Sequence, residues 1–382
     1  MIKIIKIILL LTLSLLVFSQ KTFADKKIRI GLLVPLTGEN SEIGLSIVKA
    51  TQLAVNRINN PEIEIFPKDT KSSAEITLQS AKELDQLGVK IIIGPVFNDS
   101  LTYLDELKNI TFLSLTNKKV NNLENVISAG INATSQLKTI KKFLKLNEIK
   151  KTIFLTPETS YKNEIQEAIS SSKIKIIKNY FYDSDPTKLT KQIEDITNYK
   201  KRRQNLEDEI TRLEVTEETN QQLIEKLKKK DTLGDVEFDS IIIADFDESL
   251  KSITTSLLYT DISPKEKYFI TLNQWFDESL LRETSSQPIY FPSINKKNYE
   301  EFTLDYFEKF NQYPNQLSFL SFDLVGLVYY LILQNDLVID EKIFKRKTVF
   351  KGKVGIFDIS ENKINHILNF YKVDNKKFKK VF

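Results

Sequence analysis

Apolar runs and amphipathic stretches alternate along residues 28–115. The run from Ile28 to Val34 is apolar almost throughout and rich in β-branched side chains, which predicts a buried strand. Residues 43–58 instead place apolar side chains three and four apart, the spacing of one buried helical face. Further strands are predicted at 63–66, 89–93 and 111–115, and a further helix at 74–87. Strands without polar alternation are covered on both faces, which indicates a parallel sheet between layers of helices.

The same alternation restarts after Asn132 and predicts a second sheet. Its helices are predicted at 135–146, 161–169 and 250–259, and its strands at 152–155, 173–182, 240–244 and 267–271. Helices at 299–310 and 321–333 and short strands at 354–359 and 367–373 complete the chain.

The predicted fold class is therefore α/β, with two doubly wound, Rossmann-like lobes. We expect residues 25–134 plus 287–340 to form lobe 1, and 135–286 plus 341–382 to form lobe 2. Ligands of open α/β sheets bind at the carboxyl ends of the strands, so the cleft between the lobes is the expected site.

One segment, residues 187–230, departs from this alternation. It lacks Pro and Gly, is dense in charged residues, and repeats Leu and Ile at coiled-coil-like intervals from Leu189 to Leu213 and again at Leu223 and Leu227. We interpret it as a helical hairpin inserted in lobe 2 that turns near residues 216–220. Two interpretations stay open: a solvated extension without a partner, or a protruding arm that docks a partner.

The first 24 residues have the pattern of a signal peptide. Lys3 and Lys6 precede an apolar run from Ile7 to Phe18, which is shorter than the ~20 residues that span a bilayer. Small residues precede Asp25, so we expect cleavage after Ala24 and a periplasmic protein without stable membrane insertion. The alternative is an uncleaved anchor.

Composition narrows the classes of function. The formal charge of the 382 residues is +4, and about +1 without the three lysines of the signal segment, which gives no general attraction for nucleic acid. The chain has no Cys and one His, His366, so disulfides, thiolate metal sites and most His-based catalysis are not expected. Phosphate-binding and nucleophile-elbow motifs are absent. We expect no enzyme activity, no cofactor and no metal, and interpret Asp183 and Asp185 as turn and capping residues.

Four segments carry a recognisable pattern: the opening strand with its turn at 28–38, Gly44 with the helix through Ile58 and Asn59, the strand Val89–Pro95, and the late helix pair around Tyr306–Pro314 and Ser321–Asp323. These segments resemble the type I periplasmic solute-binding family that includes the branched-chain amino-acid receptors. Together they follow the order of the family along most of the chain.

Three further features, Leu272–Asp277, the helical insertion and the tail Phe350–Phe357, carry a narrower resemblance. They resemble the bacterial penicillin-binding-protein activators, which use the same fold to regulate a peptidoglycan synthase. The chain lacks the lipoprotein cysteine that many activators carry.

The resemblance to the receptors implies where a ligand would bind. The loops after the third and fourth strands supply Asn98, Asp99, Ser100 and Thr116, and the second lobe would add Tyr161, Asp245 and Trp275. Uncharged donors can hold a carboxylate, and an aspartate can meet an ammonium group. The alternatives are helix capping for the polar residues and packing between lobes for the aromatic ones.

Departures from the family are Lys162 after Tyr161 and the lysines Lys118 and Lys119 beside the cleft. The expected function is a receptor for a small, amino-acid-like polar ligand that delivers it to a membrane transporter. The rival is a docking regulator of a peptidoglycan synthase.

Overall fold

The computed structural model describes residues 27–120, 123–216, 221–272 and 275–382. The predicted signal segment and residues 217–220 of the predicted turn lie outside these residues.

The first sheet is parallel and comes from the first third of the chain. Its strands and helices are β1 (Ile28–Val34), α1 (Ser41–Ile58), β2 (Ile63–Asp69), α2 (Ala74–Gln86), β3 (Ile91–Ile93), β4 (Thr111–Ser114) and β5 (Val126–Ser128). The strand order is β2-β1-β3-β4-β5. The strands of this sheet lie between helices, which explains their continuous apolar character.

The second sheet begins after the chain crosses to the other lobe. Its segments run α3 (Ala133–Leu146), β6 (Thr152–Pro157), α4 (Lys162–Ser172), β7 (Lys178–Tyr182), α5 (Pro186–Ile196), α6 (Tyr199–Thr216), α7 (Gln221–Leu227), β8 (Ser240–Ile243), α8 (Asp247–Tyr259), β9 (Tyr268–Thr271), α9 (Ser279–Arg282) and β10 (Ile289–Ser293). The remaining elements are α10 (Lys296–Phe310), α11 (Ser318–Gln334), β11 (Thr348–Lys351), β12 (Ile356–Ser360), β13 (Lys363–His366), β14 (Asn369–Asp374) and β15 (Lys377–Lys380).

Seven strands form this sheet in the order β15-β14-β10-β9-β8-β6-β7, and β11, β12 and β13 form a small antiparallel sheet. The strands from β10 to β7 are parallel, whereas β14 and β15 add antiparallel at one edge. The predicted class, two α/β lobes, is confirmed.

The lobe boundaries differ from the predicted ones. Residues 289–293, expected in lobe 1, form β10 inside the second sheet. Residues 343–368, expected in lobe 2, contribute Phe344, Phe357 and Leu368 to the apolar core of the first lobe. The chain crosses between the lobes three times in both divisions, but the second and third crossings come later in the chain than predicted. We propose lobe 1 as 27–131 plus 294–368, and lobe 2 as 132–293 plus 369–382.

Helix starts follow their capping residues. Ser73, Asn132, Asp185 and Asn295 each precede a helix and accept a backbone amide of its first turn through the side chain. The interpretation of Asp183 and Asp185 as turn and capping residues is confirmed: Asp183 accepts the Asp185 amide at 3.0 Å, and Asp185 accepts the Thr187 amide at 2.9 Å.

The inserted segment is shorter than predicted. Leu189 and Ile193 lie on α5, which packs on the second sheet like any other helix of the lobe. The helix breaks at Asn198, whose φ is 52°, and only α6 and α7 form a separate arm. Leu206, Leu213 and Leu227 make its small core with Ile210, Ile224 and Leu233. The spacing from Leu189 to Leu213 therefore belongs to two helices with different partners.

A buried arginine joins the arm to lobe 2. Arg202 donates to the Thr197 carbonyl at 3.0 Å, to the Thr232 hydroxyl at 3.0 Å and to the Thr260 carbonyl. Burial lowers the pKa of Arg202, and the nearby Asp261 acts against that shift. The carbonyl of Arg202 also accepts the Leu233 amide at 2.9 Å, so the arm leaves and re-enters the lobe at one point.

Two segments singled out in the sequence meet at a buried carboxylate. Asp323 on α11 accepts the amides of Lys353, Val354 and Gly355 at 2.7, 3.1 and 2.7 Å. A Cβ at Gly352 would lie 2.5 Å from the Asp323 Cγ, so only glycine leaves room for the carboxylate there. Burial raises the pKa of Asp323 to about 6, against these three donors. The contact fixes the β11–β12 hairpin on the last long helix.

Candidate functional site

A cavity of about 350 Å³ lies where the two lobes meet. Its walls come from the loops after β3 and β4, from the start of α3, from the end of β10, and from the loop before α11. The predicted residues Asn98, Asp99, Thr116 and Trp275 line it. Both lobes thus contribute to one enclosure of the size that small-molecule sites have.

Asn98 and Asp99 begin a short 3-10 helix, Asn98–Leu101, at the carboxyl end of β3. Phe97 precedes this helix and no side chain caps it. The capping alternative for Asn98 and Ser100 is therefore not what the structure has. Ser100 lies behind the wall: it is buried, and its hydroxyl has no partner among the described residues.

Thr116 is buried in the loop after β4 and is held from several sides. Its carbonyl accepts the Gly130 amide at 3.1 Å and the Ser128 hydroxyl at 2.8 Å. Its own hydroxyl accepts the Lys118 amide at 3.2 Å, which leaves its proton free to donate. A Cβ at Gly130 would lie 2.3 Å from the Thr116 carbonyl oxygen, so this close approach requires glycine.

Trp275 reaches the cavity from the second lobe. Its ring centroid lies 5.9 Å from that of Phe319 in the first lobe. Phe276, the next residue, has a φ of 62°, which is unusual for an aromatic residue. Its ring packs against Phe291 and Tyr371 at centroid distances of 5.7 and 4.9 Å. Trp275 thus lines the cavity and also packs against the first lobe, while Phe276 holds the pair on the second lobe.

Tyr161 and Asp245 do not line the cavity; they form a separate cluster with Tyr182 in the second lobe. The Tyr182 hydroxyl donates to Asp245 Oδ2 at 2.6 Å, and the Phe246 amide donates to Asp245 Oδ1 at 3.0 Å. Burial raises the pKa of Asp245, and burial together with the Asp245 charge raises that of Tyr161. The structure gives Asp245 protein partners at both oxygens.

Sequence reasoning missed Gln136 and Ser293, which also line the cavity. Gln136 lies in the first turn of α3, just after the Asn132 cap; the cap predicts the start of the helix but not a place in the cavity wall. Ser293 ends β10, a strand that carries Pro292 and was not predicted. Both are close to crossings between the lobes.

Charged residues line the rim of the cleft. Lys118 belongs to the cavity wall, and Lys119 makes an ion pair with Glu167 on α4 of the other lobe. Burial raises the pKa of Glu164, one turn earlier on α4, while Lys118 lowers it.

The single histidine takes no part in the cavity wall. His366 is buried, and its Nε2 lies 2.8 Å from the Ala129 carbonyl, which requires a proton on that nitrogen. Burial lowers its pKa to about 4. No group of three or more His, Asp or Glu within the described ranges could hold a metal ion. None of the helices described has the length and apolar character of a membrane span.

Comparison with known proteins finds a family model that matches the first part of the chain and solved structures that share the fold over nearly all of it. The family described as periplasmic binding protein matches residues 27–200. A search of curated proteins found no significant match.

Three solved structures illustrate the fold. A putative branched-chain amino acid ABC transporter protein from Rhodospirillum rubrum has a TM-score of 0.70 at 13% identity, covering 93% of this chain and 100% of that one. An ABC transporter substrate-binding protein from Desulfitobacterium hafniense, complexed with Leu, has a TM-score of 0.59 at 14% identity, covering 93% and 100%. The C-domain of LpoA from Haemophilus influenzae, a regulator of PBP1A, has a TM-score of 0.61 at 14% identity, also covering 93% and 100%.

At such identities the likeness concerns the fold alone. Residues 27–200 match the periplasmic binding protein family, and the chain has the two-lobed fold of the type I periplasmic binding proteins.

Proposed function

We propose that this chain is a non-enzymatic periplasmic receptor that closes its lobes on a small polar ligand carrying an ammonium and a carboxylate group. It would serve an ABC-type uptake system for amino acids or similar solutes. The cavity of about 350 Å³ between the lobes is the observation that supports this proposal most directly.

The chemistry of the wall supports a zwitterionic ligand. Asp99 offers a negative charge, whereas Lys118 and the hydroxyl of Thr116 offer donors for a carboxylate. Leu115, Ile131 and Trp275 supply apolar contact for a side chain. The complex of the related D. hafniense protein with Leu supports the same class of ligand.

The test is a thermal-shift screen of the chain from Asp25 onward against amino acids, small organic acids and cell-wall fragments. A ligand at ~100 times its dissociation constant stabilises by about 2.7 kcal/mol, which is a shift of a few degrees. Thr116→Val keeps the shape but removes the hydroxyl, so we expect about tenfold weaker binding. Asp99→Asn should weaken an amino acid more than an organic acid.

Asp105→Asn, an exposed acidic residue outside the cavity wall, is the matched control. A flat response to every compound, or a ligand response that Asp99→Asn and Thr116→Val leave unchanged, would rule out the receptor at this cavity.

The arm favours a second candidate, a regulator of peptidoglycan synthesis that docks a synthase. The arm has its own apolar core and a buried connection to lobe 2 through Arg202. The similarity in fold to the LpoA C-domain supports this alternative.

Because the Arg202 carbonyl and Leu233 amide are hydrogen-bonded, residues 203–231 can be replaced by two glycines. For the docking function we expect lost binding of a peptidoglycan synthase, measured by surface plasmon resonance, with the melting temperature of the lobes little changed. Retained synthase binding in a folded variant would remove this alternative.

A further inference from the structure

Four charged residues bridge the cleft between the lobes. Lys118 and Lys119 belong to the loop after β4 in the first lobe, and Glu164 and Glu167 lie one turn apart on α4 of the second. Lys119 pairs directly with Glu167, and Lys118 is close enough to Glu164 to lower the pKa of that carboxyl. Lys119 thus contacts a carboxylate of the other lobe, and the charge of Lys118 acts on a second one.

The bridge lies between two cavities. On one side is the central cavity, which Lys118 lines. On the other is a second cavity of about 300 Å³, with Lys119, Glu164 and Glu167 in its wall. With cavities on both sides, the Lys119–Glu167 ion pair joins the lobes at this point.

Helix α4 is a rigid support for the two glutamates. Ile165 and Ala168, which alternate with them along the helix, are buried in the core of the second lobe. Burial partly desolvates Glu164, which strengthens its interaction with a nearby cation. The Lys119 and Glu167 side chains remain 48% and 41% exposed, so salt can screen their pair.

We propose that Lys118, Lys119, Glu164 and Glu167 form an electrostatic latch that holds the two lobes together before any ligand binds. The lysines of the first lobe and the glutamates of the second close the cleft along its rim. An exposed pair contributes modestly, but two pairs acting on a near-balanced hinge equilibrium shift it by about three- to tenfold.

The experiment measures the distance between lobes without ligand. Because the chain has no Cys, Gln86→Cys on α2 and Ser170→Cys on α4 can be spin-labelled uniquely. Double electron–electron resonance should give mainly short distances at low salt and a larger long-distance fraction at high salt. Lys118→Glu with Lys119→Glu should raise the ratio of long to short distances about three- to tenfold at low salt.

Exchange of the charges between the two lobes provides the decisive test. Adding Glu164→Lys and Glu167→Lys to the two lysine reversals should restore the short distances, whereas Lys145→Glu, an exposed position on α3 outside both cavities, should change nothing. Unchanged distances in the reversed variant, or no restoration after exchange, would overturn the latch. No ligand is present, so a failed ligand screen leaves this result intact, and a failed latch leaves the receptor proposal intact.

Discussion

Each lobe buries an aspartate, and the two are held in different ways. Asp323 in the first lobe accepts three consecutive backbone amides and lies against Gly352. Asp245 in the second lobe is held by one side chain, the Tyr182 hydroxyl, and by the amide of its neighbour Phe246. Backbone donors cannot turn away, whereas a tyrosine hydroxyl can exchange partners.

The difference separates a structural role from an adaptable one. The Asp323 contact joins α11 to the small sheet and is complete within the first lobe. Asp245 follows β8, at the carboxyl edge of the second sheet where ligands of such folds bind. A contact of Asp245 with ligand therefore stays a prediction.

The largest effect on stability is expected when the carboxylate of Asp323 is removed from the three backbone amides that hold it, which we call the backbone cradle. Asp323→Ala leaves three amides without an acceptor, two of them buried, and should lower the free energy of unfolding by about 3–4 kcal/mol. Urea denaturation measures the change, with the exposed Glu308→Ala on α10 as control. A loss no larger than that of the control would mean that the cradle is not a stabilising contact.

A pH series compares how Asp323 and His366 contribute to stability. The folded pKa of His366 is about 4, below its ordinary value, so the unfolded chain binds the proton first and stability falls by about 3 kcal/mol between pH 6.5 and 4. The folded pKa of Asp323 is about 6, above its ordinary value, so the folded chain binds the proton first and stability rises as pH falls below 6.

The two contributions oppose each other, and wild-type stability should vary little from these groups over that range. In His366→Gln only the Asp323 contribution remains, so the variant should gain stability relative to wild type on acidification. Urea midpoints at pH 7, 5.5 and 4.5 give the comparison, and parallel profiles for the two proteins would contradict it.

The smallest effect is expected in the second lobe. Tyr182→Phe removes the donor to Asp245 Oδ2 and should cost about 1–2 kcal/mol, since water or Tyr161 can partly replace it. Tyr180→Phe on the same strand is the matched control. A loss as large as that of Asp323→Ala would show that both aspartates are equally fixed, and the comparison between the lobes would fail.

The sequence predicted the regular parts of the fold because each carries its own signal. The strand at 28–34 was found to the residue, and the helix at 43–58 to within two residues, since burial on both faces or on one face dictates the pattern. β10 was missed because Pro292 lies inside it, and β5 and β13 because they are short. The strand predicted at 173–182 begins only at Lys178.

The candidate site likewise has one part that the sequence predicts and another that it does not. The loops after β3 and β4 could be predicted because the carboxyl ends of parallel strands share one edge. Ser293 and Gln136 could not, because their place in the wall depends on where the chain crosses between lobes, which no local pattern encodes. The separation of Asp245 from the cavity is likewise a matter of lobe geometry.

The hydrogen bond from the Leu233 amide to the Arg202 carbonyl has a consequence for how the chain can fold and change. The arm closes on itself at Arg202, so lobe 2 can bring β7, α5 and β8 together whether or not the part of the arm beyond Arg202 has formed. Doubling the length of such a closed excursion costs only about 0.6 kcal/mol in chain entropy. The arm is thus a position where insertions and deletions would be tolerated while the register of the second sheet stays fixed.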